Sequence, residues 1–112
     1  MGTLLAIDTA APRLQLALLS DTGRLETLVE DMPTGQAERL FPALAELMAR
    51  GSVPYGDLTR IAVTTGPGSF TGLRIGLSAA RGLGLALAIP VLGIPSLLAL
   101  SLVAQCDAIA VL

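Results

Sequence analysis

Two hydrophobic periods alternate along the chain. Thr3 to Asp8 (TLLAID) is a short apolar run suited to a central strand buried on both faces. Ala10-Ala11-Pro12 breaks it with a turn. Leu14 to Ser20 (LQLALLS) has strand length, although leucine and alanine are weak strand formers. Ser20-Asp21-Thr22-Gly23 reads as a type I turn with glycine last, closing a hairpin onto a more exposed third strand, Arg24 to Asp31. The period then changes. Ala37, Leu40, Phe41, Leu44, Leu47 and Met48 recur at steps of three and four, predicting an amphipathic helix over Gln36 to Arg50 with Thr34 as N-cap and Gly51 as the stop. Pro42 inside it removes a backbone donor and should kink it, at about 3 kcal/mol. Leu58 to Thr65 is the fourth strand, Gly66 to Gly72 a loop, and Gly72 to Ala88 a second helix. Ala88 to Ile94 fits a short fifth strand, Pro95 opens a third helix to Gln105, and Asp107 to Leu112 begins another strand.

Three strands joined by tight turns, followed by helix, strand, helix, strand, helix, is the plan of an α/β lobe of the ribonuclease-H-like class. A mixed five-stranded sheet with helices on both faces is expected. Composition then narrows the function. The 112 residues are 53% hydrophobic but only 14% charged, against roughly 25% charged for an average domain, so some surface should be covered by another domain or subunit. A net charge of −2 and three aromatic residues provide neither a basic footprint nor a stacking platform for nucleic acid. The sequence holds no histidine, which excludes histidine-based relays and zinc sites of the HExxH type. Cys106, the one cysteine, can form no intrachain disulfide and suits a reducing compartment. The uncharged run between Arg81 and Asp107 imitates a membrane span, but Pro90, Gly93 and Pro95 divide it. The chain is therefore read as cytoplasmic, with no membrane partner.

Candidate chemistry concentrates around GPGSFTG. Glycines and backbone N–H groups between a strand end and a helix start can cradle an anion, with Gly66, Gly68, Ser69 and Thr71 as the cradle and Asp8 and Thr9 beside it. The plainer alternative is a tight turn that needs glycine for its backbone angles, and glycine content alone favours it. No lysine follows as in a P-loop. In the helix beyond, Gly72, Gly76, Ala80 and Gly84 fall at steps of four. That face is suited to the close approach of another helix; alternatively it packs on its own sheet. Arg74, Ser78 and Arg81 share an adjacent face. Asp8 ends the first strand where a metal carboxylate can sit, but Asp21, Asp31, Asp57 and Asp107 are too scattered to complete a metal site.

The string GPGSFTGLRIGLSAARGLGLALAIPVLGIPSLLAL (66–100), with LLAIDTAAPRLQLALL (4–19) and GQAERLFPAL (35–44), resembles the bacterial TsaB family, also called YeaZ. The resemblance implies an actin-like fold of the sugar-kinase and Hsp70 superfamily. It further implies a non-catalytic role in making N6-threonylcarbamoyladenosine at position 37 of tRNA, through pairing with a TsaD homologue and with the ATPase TsaE. Contact with tRNA would be only indirect. No cofactor is expected, ATP or ADP entering only at an interface with partners. Members of the family run to about twice this length, so residues 1–106 correspond to an N-terminal lobe and 107–112 to the first strand of a second.

The docking surface expected from these helices comprises Gln36, Arg39, Leu40, Ala43 and Leu47 on the first. On the second it comprises Gly72, Arg74, Gly76, Ser78, Ala80 and Arg81. It would receive TsaD, or a second copy of the chain in a homodimer, and Gly76→Leu should abolish pairing while leaving the fold intact. The competing readings are a nucleotide-binding actin-like ATPase, or a protein like the M22 glycoproteases, using the Gly66–Gly72 loop. A metal-dependent nuclease ranks last.

Overall fold

The computed structural model describes residues 2–95. The helix expected from Pro95 to Gln105 and the strand from Asp107 lie outside the described residues. Five strands, β1 (Thr3–Asp8), β2 (Arg13–Leu19), β3 (Leu25–Asp31), β4 (Leu58–Gly66) and β5 (Val91–Pro95), form one sheet in the order β3-β2-β1-β4-β5. The β1–β2 and β2–β3 pairs are antiparallel, whereas β4 runs parallel to both β1 and β5. This is the mixed α/β lobe of ribonuclease-H-like type that the element order predicted.

Strand alternation decides which face receives the helices. In β1 and β2 every second residue (Leu5 and Ile7; Leu14, Leu16 and Leu18) is buried on one face. Leu40, Ala43, Leu44 and Leu47 of α1 (Gln36–Gly51) and Ala79 and Ala80 of α2 (Phe70–Leu87) join them, with Ile61 and Val63 of β4, in one core cluster. Each fully buried leucine contributes roughly 1.5–3 kcal/mol by leaving water. Both described helices lie on this face, α1 across β2 and β3 and α2 across β4 and β1. On the opposite face Leu19, Leu25, Val29 and Leu92 are exposed, and among the described residues no helix covers them.

The helix ends differ from the expected caps. Gly35, not Thr34, precedes α1, in the left-handed conformation (φ 87°) with no side-chain cap, and its carbonyl accepts from Arg39 N at 3.1 Å. At the far end Gly51 stays helical and Ser52 takes the left-handed position (φ 54°). Val53 N then reaches back to the Met48 carbonyl at 3.0 Å, the six-residue closure of a Schellman motif. Pro42 is accommodated within one continuous helix. The carbonyl it leaves without an intrahelical donor belongs to Glu38, and both residues are exposed.

α2 begins at Phe70, two residues before the expected start, because Ser69 caps it: its hydroxyl accepts from Gly72 N at 3.2 Å. Ala88 closes the helix in the left-handed conformation, so β5 starts at Val91 rather than Ala88. A one-turn 3-10 helix at Tyr55–Asp57, unforeseen in the sequence, leads into β4. Among the described residues no helix is long and apolar enough to cross a membrane.

Candidate functional site

Two places collect the residues singled out in the sequence: the junction of the β1–β2 turn with the start of α2, and the gap between α1 and α2. At the junction, β1 and β4 run parallel, so their carboxyl ends bring Asp8, Thr9 and Gly66 beside the loop that opens α2. Gly66 has φ 118°, a conformation that side-chain-bearing residues rarely adopt, and the chain reverses there.

The predicted cradle is thus assembled, and several of its polar groups bond one another. Asp8 Oδ1 accepts from Ala10 N and from Thr64 Oγ1, both at 2.9 Å. Ser69 N donates to the Ala10 carbonyl at 3.0 Å. The buried Thr9 hydroxyl donates to the Gly72 carbonyl at 2.5 Å and accepts from Gly76 N at 3.1 Å, bridging two ends of one helical turn.

The close approach that glycine permits here is to the protein's own chain. A Cβ on Gly72 would collide with the Thr9 carbonyl oxygen, one on Gly76 would stand 2.5 Å from Thr9 Oγ1, and one on Gly68 would stand 2.7 Å from the Ala10 oxygen. Thr9 and Ala10 thus lie directly against the glycines of the loop and of the first turn of α2. Thr71, also assigned to the cradle, is exposed and faces the gap between the helices instead. Among the described residues no group of three metal-ligating side chains comes together.

This geometry corrects the expected docking face. Gly72, Gly76, Ala80 and Gly84 are buried against the sheet rather than presented to a partner. Gln36, Leu40, Ala43 and Leu47 are likewise buried within the lobe. Leu40 contributes to the floor of the gap. A Gly76→Leu side chain would enter the core beside Ile7 and Val63, so the fold cannot remain intact as expected.

Between α1 and α2 lies a groove of about 640 Å³, lined by Ala37, Leu40 and Phe41 on one side. Phe70, Thr71, Arg74, Ile75, Ser78, Ala79 and Gly82 line the other. The groove is mainly apolar, and its two aromatic walls stand in solvent: Phe41 is 49% exposed and Phe70 73% exposed. The Arg74 guanidinium lies over the Phe70 ring, 5.4 Å from its centroid. Of the residues expected to dock a partner, Leu40, Arg74 and Ser78 line this groove, while Arg81 is exposed on the same side of α2.

Arg39 is turned away from the groove toward β3. Its guanidinium holds Glu30 in a two-pronged pair at 2.9 and 2.7 Å and reaches Glu46 as well. The hydrogen bonds from Arg39 hold the Glu30 carboxyl below its usual range, and the two carboxylates raise the Arg39 guanidinium.

Sequence reasoning missed both phenylalanines. The three-four spacing groups Phe41 with the inward stripe of α1, but it and Ala37, one turn apart, sit at the stripe's edge and are exposed. Phe70 falls in the Gly66–Gly72 loop by sequence but lies in the first turn of α2. The usable signal was its place directly after a serine cap, which puts an aromatic in the first turn of an exposed helix end.

The mixed sheet, its parallel β4–α2–β5 unit and the helices packed on one face define an α/β lobe of the ribonuclease-H-like class. The family model described as "TsaD: tRNA N6-adenosine threonylcarbamoyltransferase" matches residues 34–112, and the chain belongs to this family. It is 34% identical over 98 residues to the tRNA threonylcarbamoyladenosine biosynthesis protein TsaB of Escherichia coli K12, covering 88% of this chain and 42% of that protein. Identity to TsaB of Bacillus subtilis 168 is 36% over 95 residues, covering 85% of this chain and 42% of that one. Among solved structures, YeaZ from Pseudomonas aeruginosa superposes with a TM-score of 0.88 at 36% identity, over 96% of this chain and 49% of that one. The resemblance to TsaB and YeaZ therefore holds, and the chain spans about half the length of these relatives.

Proposed function

We propose that this chain is a non-catalytic docking subunit in the formation of N6-threonylcarbamoyladenosine on tRNA, acting in the cytoplasm. It pairs with a TsaD homologue through the groove between α1 and α2, and a TsaE homologue joins the pair. The observation that carries this reading is the groove itself: two large aromatic side chains, Phe41 and Phe70, stand in water on either side of an apolar floor. A partner that buried them would gain the apolar transfer energy the lobe forgoes alone. The similarity to TsaB, a tRNA threonylcarbamoyladenosine biosynthesis protein in both E. coli and B. subtilis, supports the pathway.

The packing of Thr9 and Ala10 against Gly68, Gly72 and Gly76 supports a structural rather than a nucleotide-binding role for the loop. In this reading ATP or ADP binds at an interface with partners, not to this chain by itself, and tRNA contact is indirect.

The test is co-purification with the TsaD homologue encoded in the same genome, followed by a tRNA modification assay with and without the chain. Modification should require the chain, and Phe70→Asp should abolish both pairing and modification while the circular dichroism spectrum stays unchanged. Modification at full rate without the chain would refute the role. Pairing that survives Phe70→Asp would refute the groove. A second copy seated in the groove would appear as a dimer that the TsaD homologue dissociates.

A further inference from the structure

We infer that Arg50 guards the outer edge of the sheet: by bonding the Thr27 carbonyl at the middle of β3, it keeps this strand from pairing with β3 of a second copy of the chain. The inference does not depend on the groove. Sheet order leaves β3 and β5 as the edge strands among the described residues. β5 is five residues long and carries Gly93 and Pro95, both poor ladder formers. β3 has seven residues with neither glycine nor proline, and it pairs with β2 without a bulge. It therefore lacks the usual backbone features that blunt a sheet edge.

The hairpin fixes which backbone groups lie on the free edge. Ser20 N donates to the Arg24 carbonyl at 2.9 Å, and Met32 N donates to the Pro12 carbonyl at 3.1 Å. Antiparallel bonding alternates, so Arg24, Glu26, Leu28, Glu30 and Met32 bond toward β2. The N–H and C=O groups of Leu25, Thr27, Val29 and Asp31 therefore point outward. Leu25 and Val29, on the face without helices, are 59% and 56% exposed and flank Thr27. The glutamates of the strand raise no barrier, because Arg24 holds Glu26 and Arg39 holds Glu30. Leu25, Thr27 and Val29 thus present an uncharged template for another strand.

Arg50 interrupts that template. A basic side chain in the last turn of a helix ordinarily serves the helix's own carbonyls. Here the guanidinium instead donates to the Thr27 carbonyl at 2.5 Å. Arg24, at the start of the same strand, reaches the Arg50 carbonyl at 3.4 Å and ties the helix end to the sheet. A second β3, antiparallel about a two-fold axis, needs the Thr27 carbonyl for its ladder and must displace a charged donor to obtain it.

The experiment is sedimentation velocity across a concentration series, with the melting temperature as the check on folding. Arg50 is exposed, so Arg50→Ala and Arg50→Met should melt close to the wild type. Both should tighten self-association at least about tenfold. The outward amides of Leu25, Thr27 and Val29 should gain hydrogen-exchange protection as concentration rises. Arg50→Lys keeps a donor and should stay near the wild type. Adding Val29→Lys to Arg50→Ala should restore wild-type behaviour, because it places a charge on the edge without touching the bonds to β2. Folded Arg50→Ala and Arg50→Met chains that associate no more than the wild type would overturn the inference. Added association that ignores Val29→Lys would overturn it too, since it would run through another surface. Loss of folding in both variants would make Arg50 a support of α1 rather than a guard of β3, and would overturn it as well.

Discussion

The two sides of α2 are built from different residues and do different work. Its inner side, Gly72, Gly76, Ala80 and Gly84, is close to bare backbone and lies against the sheet and the β1–β2 turn. Its outer side presents Phe70, Arg74, Ser78 and Gly82 to the groove. On the inner side the lack of side chains lets the Thr9 hydroxyl reach the helix backbone and bridge Gly72 and Gly76. On the outer side large and charged groups stand in solvent without an intramolecular purpose beyond the stacking of Arg74 on Phe70. Small residues here serve the lobe's own assembly, and bulky exposed ones line the groove proposed as the docking surface. A stripe of glycines is thus a statement about closeness, and which neighbour is close has to be found out.

Substitutions on the two sides should separate them sharply. The largest effect is expected from Gly76→Leu, whose side chain must enter a packed site beside Ile7 and Val63. A loss of about 3 kcal/mol or more, read as a collapsed or absent urea transition, is expected. A well-folded variant that merely failed to pair would return this face to the docking surface. Next is Thr9→Val, which keeps the shape but removes the hydroxyl that bridges Gly72 and Gly76. It should cost about 1–3 kcal/mol, and Thr9→Ser should restore most of that.

Gly82→Ala should have the opposite sign. A Cβ there meets nothing within 4 Å, so the helix gains up to about 1 kcal/mol from the better helix former, visible as a raised melting temperature. The smallest effect concerns the tie between α1 and β3. Hydrogen bonding to Arg39 lowers the Glu30 carboxyl from its ordinary value near 4.5. The tie is therefore fully present above that ordinary value and is lost as pH falls through the lowered one. Glu30→Gln should flatten the acid side of the stability profile and leave the neutral side nearly unchanged, since the pair is partly exposed to solvent.

Much of the lobe was legible because one face of the sheet is buried. β1 runs from Thr3 to Asp8 as its apolar run predicted, and the three-four spacing located α1 to within a residue. The hairpin turn at Ser20–Gly23 was equally plain, with Gly23 N bonded to the Ser20 carbonyl at 3.0 Å and glycine at φ 87°. Helix caps were less legible. Gly35 and Ser52 adopt left-handed conformations dictated by where the chain must go next, which the local sequence does not encode.

The site was the least legible part. A run of small residues every fourth position fits a sheet, a turn or a foreign helix equally well in one dimension. Only the placement of Thr9 against Gly72 decides among them, and that contact joins residues far apart in the chain. The Arg39–Glu30 pair was hidden for the same reason, since it depends on how α1 lies across β3.

The most direct test of the docking account is amide hydrogen exchange on the chain alone and in complex with the TsaD homologue proposed as its partner. The account predicts added protection in α1 around Ala37–Phe41 and in α2 from Phe70 to Gly82, with β3 and β5 unchanged. Added protection confined to those strands, on the side where Leu25, Val29 and Leu92 are exposed, would contradict it and move the partner to the other face of the sheet.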